Sequence, residues 1–292
     1  MATMYRLVDI IKMSADYLQQ KGLDHPRLDA ELLIGHVLQL NRVQLYLNYD
    51  RPITTEEQQQ LRNLLRRRAL HEPIQYILGE AEFFSLKFKL NRHCLIPRPE
   101  TELLVEIAID CCGQFKDSQR MIQILDIGTG CGNIAIALAK HVDRASITAI
   151  DIDPEALAQA EANARMHQVQ SNIRFLLSDI FAAETRLQPE TFDVVIANPP
   201  YISKAELEKL PAEIKNFEPR QALDGGIDGL QFYFRIAEFA SKRLAASGSL
   251  LVEIGANQAE SVHAILSDLK IFQQIKIEHD LNRLPRVMVA HK

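Results

Sequence analysis

The sequence predicts an α/β protein: a doubly wound sheet domain preceded by a small helical bundle, with a β-hairpin between them. Three observations lead there. The first seventy or so residues carry helical periodicity throughout, residues 74–95 contain a short alternating stretch, and from about Met121 strand-type runs alternate with helix-type runs. The expected boundaries are 1–73 for the bundle, 74–95 for the hairpin linker and 96–292 for the sheet domain. A chain of 292 residues suits one large domain plus one small one. Hydrophobic residues at 47% and charged residues at 24% exclude disorder as the main state.

In chain order, Leu7, Ile10, Ile11 and Leu18 recur at helical spacing, and Gly22 sits where a left-handed stop belongs. After Pro26 the pattern resumes with Leu28, Leu32, Leu33, Val37 and Leu40. Thr54-Thr55-Glu56-Glu57 has capping-box spacing and opens a helix with Leu61, Leu64 and Leu65 on its apolar stripe. Arg66-Arg67-Arg68 reads as a solvated face of that helix and receives no role. Pro73 ends the helix. From Ile74 to Leu90 the character changes: Phe84, Leu86, Phe88 and Leu90 alternate with Ser85, Lys87 and Lys89, as a hairpin linking two domains would. Pro97 and Pro99 fix an extended entry into a helix over Leu103–Ala108.

The sheet domain then follows as strands over 122–127, 146–150, 173–177, 192–197 and 249–254, with helices over 134–139, 154–166 and 230–244. Val287–Ala290 is expected to close the sheet. No stretch approaches the ~18 uncharged apolar residues of a membrane-spanning helix, and the first nine residues lack a signal-peptide layout, so a cytoplasmic protein is expected. Cys94, Cys111, Cys112 and Cys131 have neither zinc-site nor disulfide-framework spacing, and nine scattered histidines form no ligand pattern. No metal is implied. A formal net charge of -5 argues against a protein built to grip duplex DNA.

Asp126-Ile127-Gly128-Thr129-Gly130-Cys131-Gly132 lies between the first strand of the sheet and its helix, where glycines allow a tight turn and close ligand approach. Its Gly-x-Gly-x-Gly spacing differs from that of dinucleotide enzymes, and no phosphate-loop Gly-Lys-Ser/Thr is present. Asp151 ends the next strand, where a carboxylate can accept bonds from two ribose hydroxyls. Glycines and acid together favour S-adenosylmethionine, leaving S-adenosylhomocysteine as product. Asp153 before Pro154 reads as a helix N-cap and stays outside the site. Ser178-Asp179-Ile180-Phe181 falls at the same sheet edge. Asp179 there suits the adenine amino group and Ile180 its ring, although the four residues equally fit an ordinary capped turn.

The sharpest motif is Asn198-Pro199-Pro200-Tyr201, directly after the strand Val194–Ala197. Two prolines stiffen the backbone and remove two N–H donors, leaving carbonyl oxygens to accept hydrogen bonds. The Asn198 side-chain oxygen and the Pro199 carbonyl can hold both hydrogens of a planar NH2 while Tyr201 stacks on its face. An amide nitrogen is a poor nucleophile, so positioning has to do the catalysis, which explains the absence of a His or Lys dyad.

These segments resemble the bacterial peptide chain release factor glutamine methyltransferase family over nearly the whole chain. The likeness rests on Pro26–Leu33, Glu72–Ile77, Ile96–Glu102, Asp126–Gly132, Asn198–Tyr201, Phe217–Gly226 and Asp228–Leu230. It implies a Rossmann-like class I S-adenosylmethionine-dependent methyltransferase domain and methylation of the glutamine N5 in the Gly-Gly-Gln loop of class I release factors. By the same implication the N-terminal bundle docks the factor, and no membrane or direct nucleic-acid contact is expected. Gly128 to Gly132, Asp151, Ile180 and Asn198 would bind the cofactor, and Asn198, Pro199, Pro200 and Tyr201 the glutamine, with Arg98 and Glu100 unassigned. Two rivals share the pocket chemistry: a glutamine methyltransferase of a ribosomal protein, and a DNA adenine N6-methyltransferase, since adenine also presents a planar NH2.

Overall fold

The computed structural model describes residues 5–115, 120–181, 187 and 191–292. The chain forms two compact units: one runs up to Glu80 and includes Pro211–Phe217, and the other contains Ala81–Leu210 and Glu218–Lys292.

The first unit packs helices Leu7–Gln20, Pro26–Leu38, Arg42–Leu47, Thr55–Ala69 and Ile74–Leu78 around Leu7, Leu18, Leu33, Ile34 and Leu45, all essentially buried. Gly22 follows the first helix at φ 76°, and Thr54 and Glu57 form the expected capping box. The short helix Arg42–Leu47, capped by a second box between Asn41 and Gln44, is too brief to show a 3.6-residue period in sequence. Pro73 also starts a helix, Ile74–Leu78, where the alternation reading expected extended chain; its carbonyl accepts from Tyr76 N and Ile77 N.

The arginine run is a correction. Arg66 is exposed, but Arg68 is buried, with Nε 2.7 Å from Asp29 Oδ2 and an Nη 2.7 Å from Glu213. Arg67 is paired bidentately with Glu72. Consecutive helical residues point 100° apart, so a run of three like charges cannot share one solvated face.

A hairpin of β1 (Glu80–Phe83) and β2 (Leu86–Lys89), all but Glu80 in the second unit, turns through Phe84 and Ser85, both at positive φ. The Phe84 N–H donates to Glu102 at 2.7 Å. Buried Asn163 fixes the second strand: Lys89 N donates to its Oδ1, and its Nδ2 donates to the carbonyls of Lys89 and Cys131.

The main sheet, seven-stranded among the described residues, contains β3 (Ile122–Ile127), β4 (Ala145–Asp151), β5 (Ile173–Leu177), β6 (Phe192–Ala197), β7 (Leu244–Glu253), β8 (Gln274–His279) and β9 (Pro285–His291). Its order is β5-β4-β3-β6-β7-β9-β8; the strands through β7 pair in parallel, whereas β9 is antiparallel to both neighbours. The expected closing strand Val287–Ala290 is therefore internal, and β8 forms the edge. Only Ile275 and Ile277 alternate with polar neighbours in β8, too weak a pattern to have been read from sequence. No helix among the described residues is long and apolar enough to cross a membrane; Met1–Met4 of the N-terminal leader reading lie outside them.

Removing Arg68 would strand the buried Asp29 carboxylate. Arg68→Ala should lower unfolding free energy by ~3–5 kcal/mol, and the exposed Arg66→Ala should stay within about 0.5 kcal/mol of wild type. Denaturant titration of the two variants measures the difference.

Candidate active site

Strand β3 lies between β4 and β6, so the chain winds outwards in both directions from this position. A crevice opens where the connections diverge, at the carboxyl ends of the strands. Loops following β3, β4, β5 and β6 all reach one cavity there: Gly128 and Gly130, then Asp151 and Ile152, then Ser178 to Phe181, then Asn198 to Pro200.

The glycine loop divides into two functions. Gly128 (φ 74°) and Gly130 (φ 55°) line the cavity, and a Cβ on either would meet open space, leaving a cradle for a ligand. Gly132 (φ 83°) instead lets helix Asn133–His141 pack closely, since a Cβ there would lie 3.1 Å from both Ala160 Cβ and Ile136 Cδ1. Thr129 and Cys131 also turn away. Thr129 Oγ1 donates to Asp126 Oδ2 at 2.7 Å, and the Cys131 thiol is buried, its pKa pushed up to about 12 by burial.

The Asp151 carboxylate is held at both oxygens: Gly130 N donates to Oδ2 at 2.8 Å and Asp153 N to Oδ1 at 3.0 Å. Burial raises its pKa, against the lowering effect of those N–H bonds. Asp153 caps helix Pro154–Met166 as read, donors being Glu155 N and Ala156 N. Its other oxygen, Oδ2, lies 2.9 Å from His93 Nδ1 and accepts from Gln221 Nε2 at 2.9 Å, two cavity-lining residues to which the sequence assigned no role.

Asp179 and Ile180 both line the cavity, and Asp179 Oδ1 also accepts from Phe181 N at 2.9 Å, so the capped turn exists within the pocket wall. Phe181 and Phe232 stack edge to face at 5.9 Å and add an aromatic wall. With Leu95, Ile127, Ile150 and Ile236 they give the cavity an apolar body suited to a flat heteroaromatic ring.

Behind the glycine loop, Asp126 is fully buried, and its Oδ1 has no hydrogen-bond partner among the described residues. Burial pushes its pKa up to about 7, Thr129 opposing and Asp151 adding to the rise. Asp126 does not itself line the cavity; the glycine cradle, the Asp151 carboxylate and the apolar walls together fit a nucleoside-type ligand.

At the far side of the cavity Asn198 is partly buried, and its Nδ2 donates to Thr101 Oγ1 at 3.0 Å. Pro199 and Pro200 line the wall, whereas the Tyr201 hydroxyl points to Glu253 Oε1 at 3.4 Å. The Tyr201 backbone is clamped from behind: its carbonyl accepts from Gln258 Nε2 at 2.9 Å, and a Cβ on Gly229 would lie 2.3 Å from that same oxygen. Arg98 pairs with buried Glu218, which also accepts from Ile96 N at 3.3 Å, tying the proline-rich entry to the segment after the Asn198 loop. Thr101 and Glu253 were missed in the sequence, although an acid ending the apolar run 250–252 is the same signal that marked Asp126 and Asp151.

Residues 9–79 match the family model described as the PrmC N-terminal domain, and residues 118–243 match one described as a methyltransferase domain. A release factor glutamine methyltransferase of Chlorobaculum tepidum is 39% identical over 284 residues, covering 97% of this chain and 96% of that protein. Its counterpart in Geobacter sulfurreducens is 40% identical, covering 88% and 87%. The chain belongs to the release factor glutamine methyltransferase family. Among solved structures the catalytic domain of hMettl16 superposes with a TM-score of 0.54 at 17% identity, covering 78% of this chain and 81% of that one, a likeness of fold. The sheet domain is thus a Rossmann-like class I methyltransferase domain, and this family of enzymes is one of methyltransferases.

The raised pKa of Asp126 makes a stability prediction. Its contribution is fully present below the ordinary carboxylate value of 3.8 and is lost as pH rises through about 7, because the folded state favours the protonated form. Asp126→Asn should flatten the decline of melting temperature across that window; an unchanged slope would place the titration elsewhere.

Proposed function

We propose that this chain transfers a methyl group from S-adenosylmethionine to the side-chain amide N5 of the glutamine in the Gly-Gly-Gln motif of class I peptide chain release factors. The observation that carries this reading is the meeting of Gly128, Gly130 and Asp151 with Asn198 and Pro199 around one cavity, within a chain whose relatives are named release factor glutamine methyltransferases. When bound, S-adenosylmethionine supplies an electrophilic methyl group.

The protein's own residues do the rest by position. Gly128 and Gly130 admit the donor against the backbone, and Asp151 holds its ribose hydroxyls. Asp179 and Ile180 face its base, with Phe181 and Phe232 contributing the aromatic wall. On the acceptor side Asn198 and Pro199 offer oxygens to the two amide hydrogens, and Pro200 and Tyr201 complete the glutamine site. Holding both hydrogens turns the nitrogen lone pair towards the methyl group and makes the encounter effectively unimolecular, an advantage of up to ~7–11 kcal/mol. Deprotonation can follow transfer, so no base is needed beforehand. The N-terminal bundle serves as the docking surface for the factor in the cytoplasm.

The test offers labelled methyl donor with release factor, ribosomal protein and unmethylated DNA in separate reactions, and locates the label by mass spectrometry. Label on the Gly-Gly-Gln glutamine is expected; label on DNA or ribosomal protein alone would overturn the substrate assignment. Asn198→Ala should abolish transfer while leaving donor affinity within about tenfold, roughly 1.4 kcal/mol, whereas Asp151→Ala should weaken donor binding by more than about tenfold. Isothermal titration with the donor and turnover with the factor separate the two effects.

A further inference from the structure

We propose that Thr101 and Glu253 are positioning residues that decide which end of the Asn198 carboxamide faces the methyl acceptor, an inference that rests on the proposed glutamine site. The three side chains come from separate elements: Thr101 from the first turn of helix Glu100–Gly113, Glu253 from the end of β7, and Asn198 from the end of β6. Thr101 and Glu253 are 2% and 1% exposed, so water cannot substitute for their partners. Asn198 Nδ2 donates to Thr101 Oγ1 at 3.0 Å, and Thr101 Oγ1 donates to Glu253 Oε2 at 2.6 Å.

Counting protons makes the chain directional. A hydroxyl has one proton and an ionised carboxylate has none, so Thr101 has to spend its proton on Glu253 and can only accept from Asn198. The Asn198 NH2 end is then committed to Thr101, which leaves its oxygen for the acceptor's NH2. With Glu253 protonated the order can reverse: the acid donates to Thr101, Thr101 donates to the Asn198 oxygen, and the Asn198 NH2 faces the acceptor. Two NH2 groups would then meet donor to donor, and the clamp is lost.

Several groups set the charge of Glu253. The Tyr201 hydroxyl reaches Oε1 at 3.4 Å and favours the ionised form, whereas the Tyr233 hydroxyl donates to the Glu253 backbone carbonyl at 3.1 Å and not to its carboxylate. Arg286 on β9 favours the ionised form and Glu100 opposes it. Burial is the largest influence and pushes the carboxyl up to about 7, so the reversal falls near neutral pH. The ionised form is the active one, and turnover should rise as pH increases through that value.

Two measurements decide the matter. In the first, Thr101→Val removes the hydroxyl at nearly constant shape and Thr101→Ser keeps it. Thr101→Val is expected to lower kcat at least about tenfold and to abolish the acid limb of the pH profile, with donor affinity within about threefold; Thr101→Ser should retain both kcat and the limb. In the second, which needs no methyl acceptor, the side-chain 15N resonance of Asn198, assigned by its loss in Asn198→Asp, is followed from about pH 6 to about pH 8. It should shift in the wild-type protein and stay fixed in Glu253→Gln. A resonance that does not titrate in the wild type, or a Thr101→Val enzyme with wild-type kcat and pH profile, would overturn the inference. If the wild type methylates no release factor, the resonance still decides the orientation question, so the two failures are distinguishable.

Discussion

Parallel pairing of β3 with β4 on one side and β6 on the other is the constraint on which the site depends. Right-handed crossovers carry the chain to opposite faces of the sheet on the two sides of β3, so the loops at its carboxyl end are pulled apart and cannot fill the space between them. Both faces of these strands are covered, which demands apolar residues along their length and leaves polar ones at the ends. Asp151 and Asn198 occur at such ends, and the crevice makes them neighbours.

The two edges of the sheet treat buried acids differently. At the amino end of β6, Asp193 receives a bidentate pair from Arg120 and the Gln123 N–H at 2.9 Å, a saturated and inert arrangement. At the carboxyl edge, Asp126 and Glu253 are bonded by hydroxyls instead of a guanidinium, Asp126 by Thr129 and Glu253 by Thr101 and Tyr201. A hydroxyl compensates a buried charge less than a guanidinium does, and both acids accordingly have raised pKa values.

The Asn198–Tyr201 loop gains its rigidity from packing as well as from proline. Gly225 and Gly229 lie so close to Tyr201 that any side chain would collide with its backbone, and Ile202 and Asp224 form a bridge alongside. The Asp-Gly-Gly and Asp-Gly-Leu segments therefore pack closely against the backbone of Tyr201 and Ile202. Their glycines are explained by close backbone approach rather than by ligand contact.

The sequence by itself determined the strand-helix rhythm, the glycine loop, the acid at Asp151 and the Asn-Pro-Pro-Tyr turn, because each is written in neighbouring residues through periodicity, backbone permissiveness or loss of N–H donors. Strands 173–177 and 192–197 and helix 154–166 were legible to the residue for that reason. Tertiary structure alone decided that Thr129, Cys131 and Gly132 turn from the cavity, that Arg68 is buried, that β8 forms a sheet edge, that His93 and Gln221 line the cavity, and that Thr101 and Glu253 are joined to Asn198 by hydrogen bonds. Those facts depend on which distant segments meet across the sheet, and hydrogen bonds spanning 97 and 152 positions leave no periodic trace in the chain.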